Sequence, residues 1–357
     1  MKNIIITSPS LDPTQNVSGI SSVTQFIIDN NKDCNYIHFE LGRKDNERGG
    51  IFRITTILKC IILWWKLLSK HPDTIIHYNF PLSKASILRD PMFIAIARMR
   101  KRKIVVHLHG GMFLTADSIP SYLRLILNKV FAMEVPFIVL SDMEEKLVIE
   151  KFNCKNVAVL PNCIDLNDAE TFNRAKNENE PLRLGYLGRI AETKGMDFLL
   201  EACVELKDKN VPFVLEIAGK EEVKGKYLPV FEEKLSDRFS FAGVVSGKSK
   251  SDYLKRLDIF VLPSFFEGLP MSLIECMNFG VVPVTTNVGS INEIVSDGSN
   301  GLYIEVKNSD SIVKQITKLH NDRDLLNSLS INAKNFVSLH FDTKKYIDKL
   351  NNIYNIA

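Results

Sequence analysis

Short apolar runs recur along the chain, separated by longer amphipathic stretches. In the first half they fall at residues 4–7, 74–78, 103–108, 137–141 and 157–160. In the second half they fall at 182–187, 213–218, 239–243, 259–263, 281–285 and 302–305. Many are continuous rather than alternating, as parallel strands covered on both faces require. The stretches between them carry helical spacing. In 196–206, Leu199, Cys203 and Leu206 share one face while Glu201, Glu205 and Asp208 lie on another. Strand–helix alternation in both halves predicts an α/β chain of two doubly wound domains. Residues 167–180 (NDAETFNRAKNENE) break the alternation with a polar run that reads as a linker. From residue 309 onward the pattern is helical.

Composition sharpens this. With 357 residues, 45% hydrophobic and 24% charged, the chain suits two ordinary globular domains. A net charge of +3 argues against a nucleic-acid partner. The sum hides an asymmetry: residues 1–165 hold 21 Lys and Arg against 15 Asp and Glu, with the excess concentrated at 98–103 (RMRKRK). The longest apolar stretch, 54–68, holds Trp64 and Trp65 but is broken by Lys59 and Lys66. It falls short of the roughly 20 residues a membrane span needs, so a buried or interfacial helix is expected. That helix and the 98–103 patch make an anionic membrane surface a candidate partner. None of the six cysteines forms a CxxC pair, which fits reduced thiols. The N-terminal apolar run is too short for a signal peptide. The expected location is the cytoplasm, with the inner face of the plasma membrane as the peripheral variant.

Ligands of doubly wound sheets bind beyond the carboxyl ends of the strands, so the loops there are where chemistry is sought. Gly188 after the 182–187 strand permits close backbone approach to a ligand, and Arg189 and Lys194 supply cations suited to a diphosphate. After the 259–263 strand, Glu267 and Glu275 bracket Gly268 and Pro270. Pro270 fits a first helical position. The amides of Met271, Ser272 and Leu273 would then form an anion site at the helix start. Glu275 can accept from a ribose diol and Glu267 from sugar hydroxyls. In the first half, the 103–108 strand runs into His109-Gly110-Gly111, with His107 two residues back as a competitor.

GRxxxxKG after a strand, Glu-x7-Glu within LPSFFEGLPMSLIECMNFGVVPV, and the segments 288–295 and 297–302 together resemble the family-4 retaining glycosyltransferases, glycosyl transferases group 1. The resemblance implies a GT-B fold: two facing Rossmann-like domains, a cleft between them and a C-terminal return helix. It implies an acceptor-binding domain over 1–166, a linker at 167–180, a donor-binding domain over 181–335 and a return helix over 336–357. It implies a nucleotide-diphosphate-sugar donor and a glycan or lipid-linked acceptor, in bacterial surface polysaccharide (capsule, O-antigen or LPS) assembly. By the same resemblance Arg189 and Lys194 bind the diphosphate, Met271–Leu273 amides the β-phosphate, and Glu275 the ribose. Glu267 positions the donor sugar, and His109 contacts it and steadies the transition state. The base lies near Gly243 and Val244.

Three positions depart from the family pattern. Gly19 is retained from a glycine pair that touches donor phosphates, but Ser18 replaces its partner. Gly219-Lys220-Glu221 stands where Gly-x-Gly is usual. Cys163 replaces a glycine in the turn Pro161-Asn162-Cys163-Ile164-Asp165, read as a hinge turn and not a nucleophile.

No cofactor and no metal are expected, since cations and a helix start would supply the positive charge. Asp322-Arg323-Asp324 has the form of a metal-binding Asp-x-Asp but lies between helical segments and reads as a helix start. The alternatives are an NAD-dependent oxidoreductase, for which no GxGxxG follows a strand, and a non-catalytic membrane-associated GT-B-like protein.

Overall fold

The computed structural model describes residues 1–16, 18–42, 51–116, 118–174 and 180–357. Val17 of the Ser18-Gly19 loop and residues 175–179 of the expected linker lie outside the described residues. The chain divides into two compact units: Met1–Cys163 with Thr343–Ala357, and Ile164–Asp342.

The first unit runs β1 (Lys2–Ser8), α1 (Gly19–Asn30), β2 (Cys34–Glu40), α2 (Ile51–Lys70), β3 (Ile75–Phe80), α3 (Lys84–Met99), β4 (Ile104–Leu108), α4 (Met112–Thr115), α5 (Ser121–Phe131), β5 (Phe137–Val139), α6 (Asp142–Phe152) and β6 (Val157–Val159). Its six strands are all parallel, in the order β2-β1-β3-β4-β5-β6. Alternation along β3 divides the unit's interior. Ile76, Tyr78 and Phe80 join the core with Trp64, Leu68 and Phe93 from α2 and α3. His77 turns the other way, its Nδ1 2.7 Å from the Tyr354 hydroxyl. Sequence pattern missed β2. It is an edge strand of mixed polarity (CNYIHFE), so neither a continuous apolar run nor strict alternation marks it.

The second unit runs α7 (Asn167–Glu170), β7 (Leu182–Leu187), a 3₁₀ turn at Glu192–Lys194, α8 (Met196–Asp208), β8 (Phe213–Ala218), α9 (Leu228–Leu235), β9 (Phe239–Gly243), α10 (Gly247–Arg256), β10 (Ile259–Leu262), α11 (Met271–Asn278), β11 (Val282–Thr286), β12 (Leu302–Ile304), α12 (Ser309–Asn321) and α13 (Arg323–His340). Its parallel sheet has the order β12-β11-β10-β7-β8-β9. The order reverses at β7 and β10, where a doubly wound sheet opens a crevice at its carboxyl edge. The expected apolar face of α8 holds, with Leu199, Cys203 and Leu206 fully buried.

The last helix, α14 (Thr343–Ile356), belongs to the first unit. It buries Tyr346, Ile347, Leu350, Ile353 and Tyr354. Tyr346 packs edge-on against Phe26 of α1, centroids 5.5 Å apart, and Asn351 accepts from Asn31 at 2.8 Å. The turn before it starts at Phe341; the stretch from 336 to His340 still belongs to α13 and the second unit.

Candidate functional site

In the second unit three loops at the carboxyl edge interlock. The amide of Phe265, after β10, donates to the carbonyl of Thr193, after β7, at 2.9 Å. At the same crossing Gly195 takes a left-handed φ of +74°, and a Cβ there would stand 2.1 Å from the Pro263 carbonyl oxygen. Gly289, after β11, has φ +57°, and its Cβ would stand 1.9 Å from the Glu267 carbonyl oxygen. No side chain fits at either position, so the glycines set how closely the loops approach.

That crossing places Lys194 on Glu267, with Nζ to Oε1 at 2.5 Å. Ser264 donates to the same oxygen at 2.6 Å, and Glu267 is buried. A second pair lies on α11: Lys250 of α10 donates to Glu275 Oε1 at 2.6 Å. Burial opposes the Lys250 charge, but Glu275 outweighs it and holds the ammonium above its ordinary pKa. Arg189 stands apart. It is exposed, and its guanidinium reaches Glu222 at 4.0 Å. Its carbonyl accepts from the buried Tyr186 hydroxyl at 2.6 Å, which fixes the loop backbone.

The start of α11 differs in detail from the expectation. Pro270 is the N-cap, with ψ 118°, and the helix begins at Met271. The cap contributes no side-chain hydrogen bond. The Leu273 amide turns back to the Pro270 carbonyl at 3.2 Å, which leaves Met271 and Ser272 as the outward amides of the expected three. Gly188 lies against the Tyr186 hydroxyl, which an added Cβ would approach to 3.1 Å. The Gly243 carbonyl accepts from Gly219 at 2.8 Å, and Val244 beyond it is exposed. Glu221, the departure from the usual glycine, accepts amides from Gly225, Tyr227 and Leu228 at 2.7–2.9 Å. Burial works against its charge, but those three amides win and lower its pKa. It organises the loop into α9.

The first unit collects neutral polar groups instead. His109 follows β4, with Nε2 2.7 Å from Asn79 Oδ1. The Asn79 amide nitrogen donates to the Thr7 carbonyl at 2.6 Å and the Thr24 hydroxyl at 2.9 Å. Its oxygen therefore faces His109, which must donate through Nε2–H and keep Nδ1 as an acceptor. The His107 ring lies 4.2 Å from that of His109. His107 Nδ1 is 3.1 Å from His77 Nε2, and the chain continues through Tyr354 to Tyr36. Burial pushes the His109 pKa down to about 3 and that of His77 to about 4. Gly19 is the first residue of α1, behind the Ser18 cap, and nothing lies within 4 Å of where its Cβ would be.

Asn79, Ser264 and Lys250 were not singled out from sequence. For Asn79 a signal existed: His77 and Asn79 alternate with Ile76, Tyr78 and Phe80, so two polar side chains share one face of an otherwise apolar strand. Asp322 proves to be the α13 N-cap, accepting from Leu325 at 2.8 Å. Among the described residues no three His, Cys, Asp or Glu group together as a metal site, and no helix is long and apolar enough to cross a membrane.

Residues 167–336 match the family model described as glycosyl transferases group 1. The match falls within the second unit, Ile164–Asp342. The chain is 26% identical over 314 residues to UDP-Gal:alpha-D-GlcNAc-diphosphoundecaprenol alpha-1,3-galactosyltransferase of Escherichia coli, covering 83% of this chain and 79% of that one. Its structure is similar to sucrose-phosphate synthase from Thermosynechococcus elongatus, with TM-score 0.80, 16% identity and coverage of 99% and 98%. It is similar too to Anabaena Alr3699/HepE in complex with UDP-glucose, with TM-score 0.77, 16% identity and full coverage of both. The two parallel sheets with flanking helices are the two halves of a GT-B fold.

Proposed function

We propose that this glycosyltransferase is a retaining enzyme. It moves a sugar from a nucleotide diphosphate to a glycan or lipid-linked acceptor, in assembly of a bacterial surface polysaccharide. The contact between Lys194 and Glu267 carries the reading: a lysine and a buried carboxylate meet beside the α11 N-terminus, at the sheet's switch point. In the donor complex Lys194 turns to the diphosphate with Arg189, and the outward amides of Met271 and Ser272 take its inner phosphate. Glu275, held by Lys250, meets the ribose. Glu267 is then released to hold the sugar hydroxyls.

His109 is neutral at working pH and offers Nδ1 to a sugar hydroxyl, with Gly19 contributing open space near the phosphates. The acceptor hydroxyl attacks from the leaving-group face. The anomeric carbon–oxygen bond to phosphate breaks, the new glycosidic bond forms on the same face, and the departing phosphate takes the proton. Cationic side chains and amides stabilise the leaving charge, so no metal or cofactor is required. The UDP-glucose bound by the Anabaena protein and the diphosphoundecaprenol substrate of the E. coli relative support a nucleotide sugar and a lipid-linked acceptor. On this reading the enzyme works in the cytoplasm, at the membrane that holds such acceptors.

A panel of UDP-, GDP- and ADP-sugars, scored by thermal stabilisation and donor hydrolysis, tests the donor class. The anomeric configuration of the product, read by NMR, tests retention. Activity persists in excess chelator. Loss of activity there with rescue by Mg²⁺ or Mn²⁺, an inverted product, or stabilisation by NADH alone each overturns the corresponding part.

A further inference from the structure

The helices α2, α3 and α5 lie side by side over the Tyr78 face of the first sheet. The Trp64 indole donates to the Phe93 carbonyl at 3.0 Å, which ties α2 to α3, and Ile126 of α5 lines a groove of about 640 Å³ with Ala95 and Met99 of α3. Their outward faces are unusual in two ways. Along α2, Ile54, Leu58 and Ile62 recur every four residues and are 55–59% exposed, with Trp65 continuing the line. Met92 and Met99 of α3 and Leu125 of α5 extend the apolar area onto the neighbours, and Met99 is 70% exposed. Exposed aliphatic groups that recur on one face and continue across three helices are not the scattered singles of an ordinary surface.

Charge on these helices has one sign. Across α2, α3 and α5 the only acidic residue is Asp90, which is fully buried and paired with Arg89. The cations are densest around the turn after α3. Arg98 and Lys129 stand on the groove, and Lys101 and Lys103 are exposed in the turn after α3. The Arg100 guanidinium lies 4.6 Å over the Trp65 ring and donates to Ser69 at 2.6 Å, so the basic turn and the apolar line of α2 form one surface.

We propose that this face docks on an anionic lipid bilayer. The apolar side chains enter the interface while the basic turn meets lipid phosphates. A second copy of the same face is a poor occupant, because it would bring two predominantly basic surfaces together. A nucleic acid would leave the aliphatic line without a partner. The face lies across the sheet from His77 and Asn79, so docking leaves the histidine site open. The inference deepens the location part of the proposed function, but its test is independent of transfer activity.

The purified full chain is sedimented with vesicles of phosphatidylcholine alone and of phosphatidylcholine mixed with phosphatidylglycerol, at low and high salt. It binds the mixed vesicles at low salt and loses that binding without phosphatidylglycerol. Each Lys or Arg near the surface contributes about fivefold. The triple variant Arg98→Glu, Lys103→Glu, Lys129→Glu, which reverses three charges, therefore binds more than about two orders of magnitude more weakly. The double variant Leu58→Ser, Ile62→Ser binds at least tenfold more weakly at either salt. Both variants keep the parent melting temperature and nucleotide-sugar stabilisation, which separates lost docking from misfolding. No binding to mixed vesicles at low salt, or undiminished binding by both variants, overturns the proposal. So does a dimer seen by light scattering that the Leu58→Ser, Ile62→Ser pair dissolves. Vesicle binding without sugar transfer would instead strike the proposed function and leave the surface standing.

Discussion

The two units share an architecture, and their candidate sites handle polarity in opposite ways. Each is a six-stranded parallel sheet with its candidate chemistry among loops and strand ends. Around its histidines the first unit keeps its polar groups neutral: His77, His107, His109, Asn79 and Tyr354 are held by hydrogen bonds, and burial keeps the imidazoles from charging. The second unit keeps its groups charged and pairs them, Lys194 with Glu267 and Lys250 with Glu275. Both solutions avoid an unpaired buried charge. They differ in what a ligand can exchange. A neutral network fixes the direction of each hydrogen bond, whereas an ion pair can give up one partner to an incoming anion.

Acid should separate the units first and most strongly. A histidine whose folded pKa lies below its unfolded value stabilises fully above the unfolded pKa of about 6.5, and that stability is lost as pH falls toward the folded pKa. The window here runs from about pH 6.5 down to about 3 for His109 and about 4 for His77. By pH 5 each of the two has given up about 2 kcal/mol, so the first unit loses roughly 4 kcal/mol. Hydrogen exchange read by mass spectrometry between pH 7.5 and 5 should show β3 and β4 opening before β7 and β10. Equal protection of both sheets at pH 5 would mean that the histidines take up protons without leaving the fold.

The next largest effect falls on the charged pair. Lys194→Ala removes a preorganised cation and leaves Glu267 with Ser264 as its remaining partner of the two described. Transfer should drop by about 10²–10³-fold in kcat. Glu267→Gln keeps the Ser264 hydrogen bond but loses the charge. The double variant should fall well short of the product of the single losses, because the two groups act as one unit. Full additivity, or near-normal kinetics in Lys194→Ala, would break the contrast between an exchangeable pair and a fixed network.

How far the sequence disclosed these sites follows from the same contrast. Buried strands such as β4 and β10 announce themselves as apolar runs because both faces are covered, and the edge strand β2 does not. The candidate residues of the second unit lie in loops and on α11 among glycines, prolines and charges of recognisable spacing, so Arg189, Lys194, Glu267 and Glu275 could be singled out as candidates. Their pairing could not be read, because Lys194 and Glu267 meet only where backbone loops cross at Gly195 and Gly289. Lys250 sits in the polar helix GKSKSDYLKR, where one lysine looks like the next until Glu275 faces it. In the first unit His109 was visible from the two glycines after it. Its orientation was not, because that depends on Asn79, which in turn depends on Thr7 and Thr24.

A smaller effect tests the second ion pair. Glu275→Ala should weaken nucleotide affinity about tenfold, the value of one charge-assisted hydrogen bond, with little change in kcat once donor saturates. Isothermal titration with the stabilising nucleotide reads it directly. Lys250→Met keeps Glu275 while removing its described partner. If it weakens the nucleotide as much as Glu275→Ala does, the lysine positions the carboxylate. Unchanged affinity in Glu275→Ala would mean that this pair only packs α10 against α11.

The smallest effect asks whether the neutral network ends at the fold or reaches the chemistry. The Tyr354 hydroxyl lies 2.7 Å from His77 Nδ1 and 3.4 Å from the Tyr36 hydroxyl. Tyr354→Phe keeps the ring that packs edge-on against His77 and removes only those bonds. Leaving a buried nitrogen unsatisfied costs about 1–3 kcal/mol, and for a chain of this size the melting temperature should fall by about 1–4 °C. Activity at saturating substrate should stay within about twofold, because His109 takes its direction from Asn79 and not from His77. Nitrogen-15 shifts of His109 should still report a proton on Nε2. If Tyr354→Phe instead moves that proton to Nδ1 and lowers kcat, then α14 does more than close the first unit. The return helix would be setting the tautomer of the candidate active-site histidine through two intervening imidazoles, and the two units would differ less than their charges suggest.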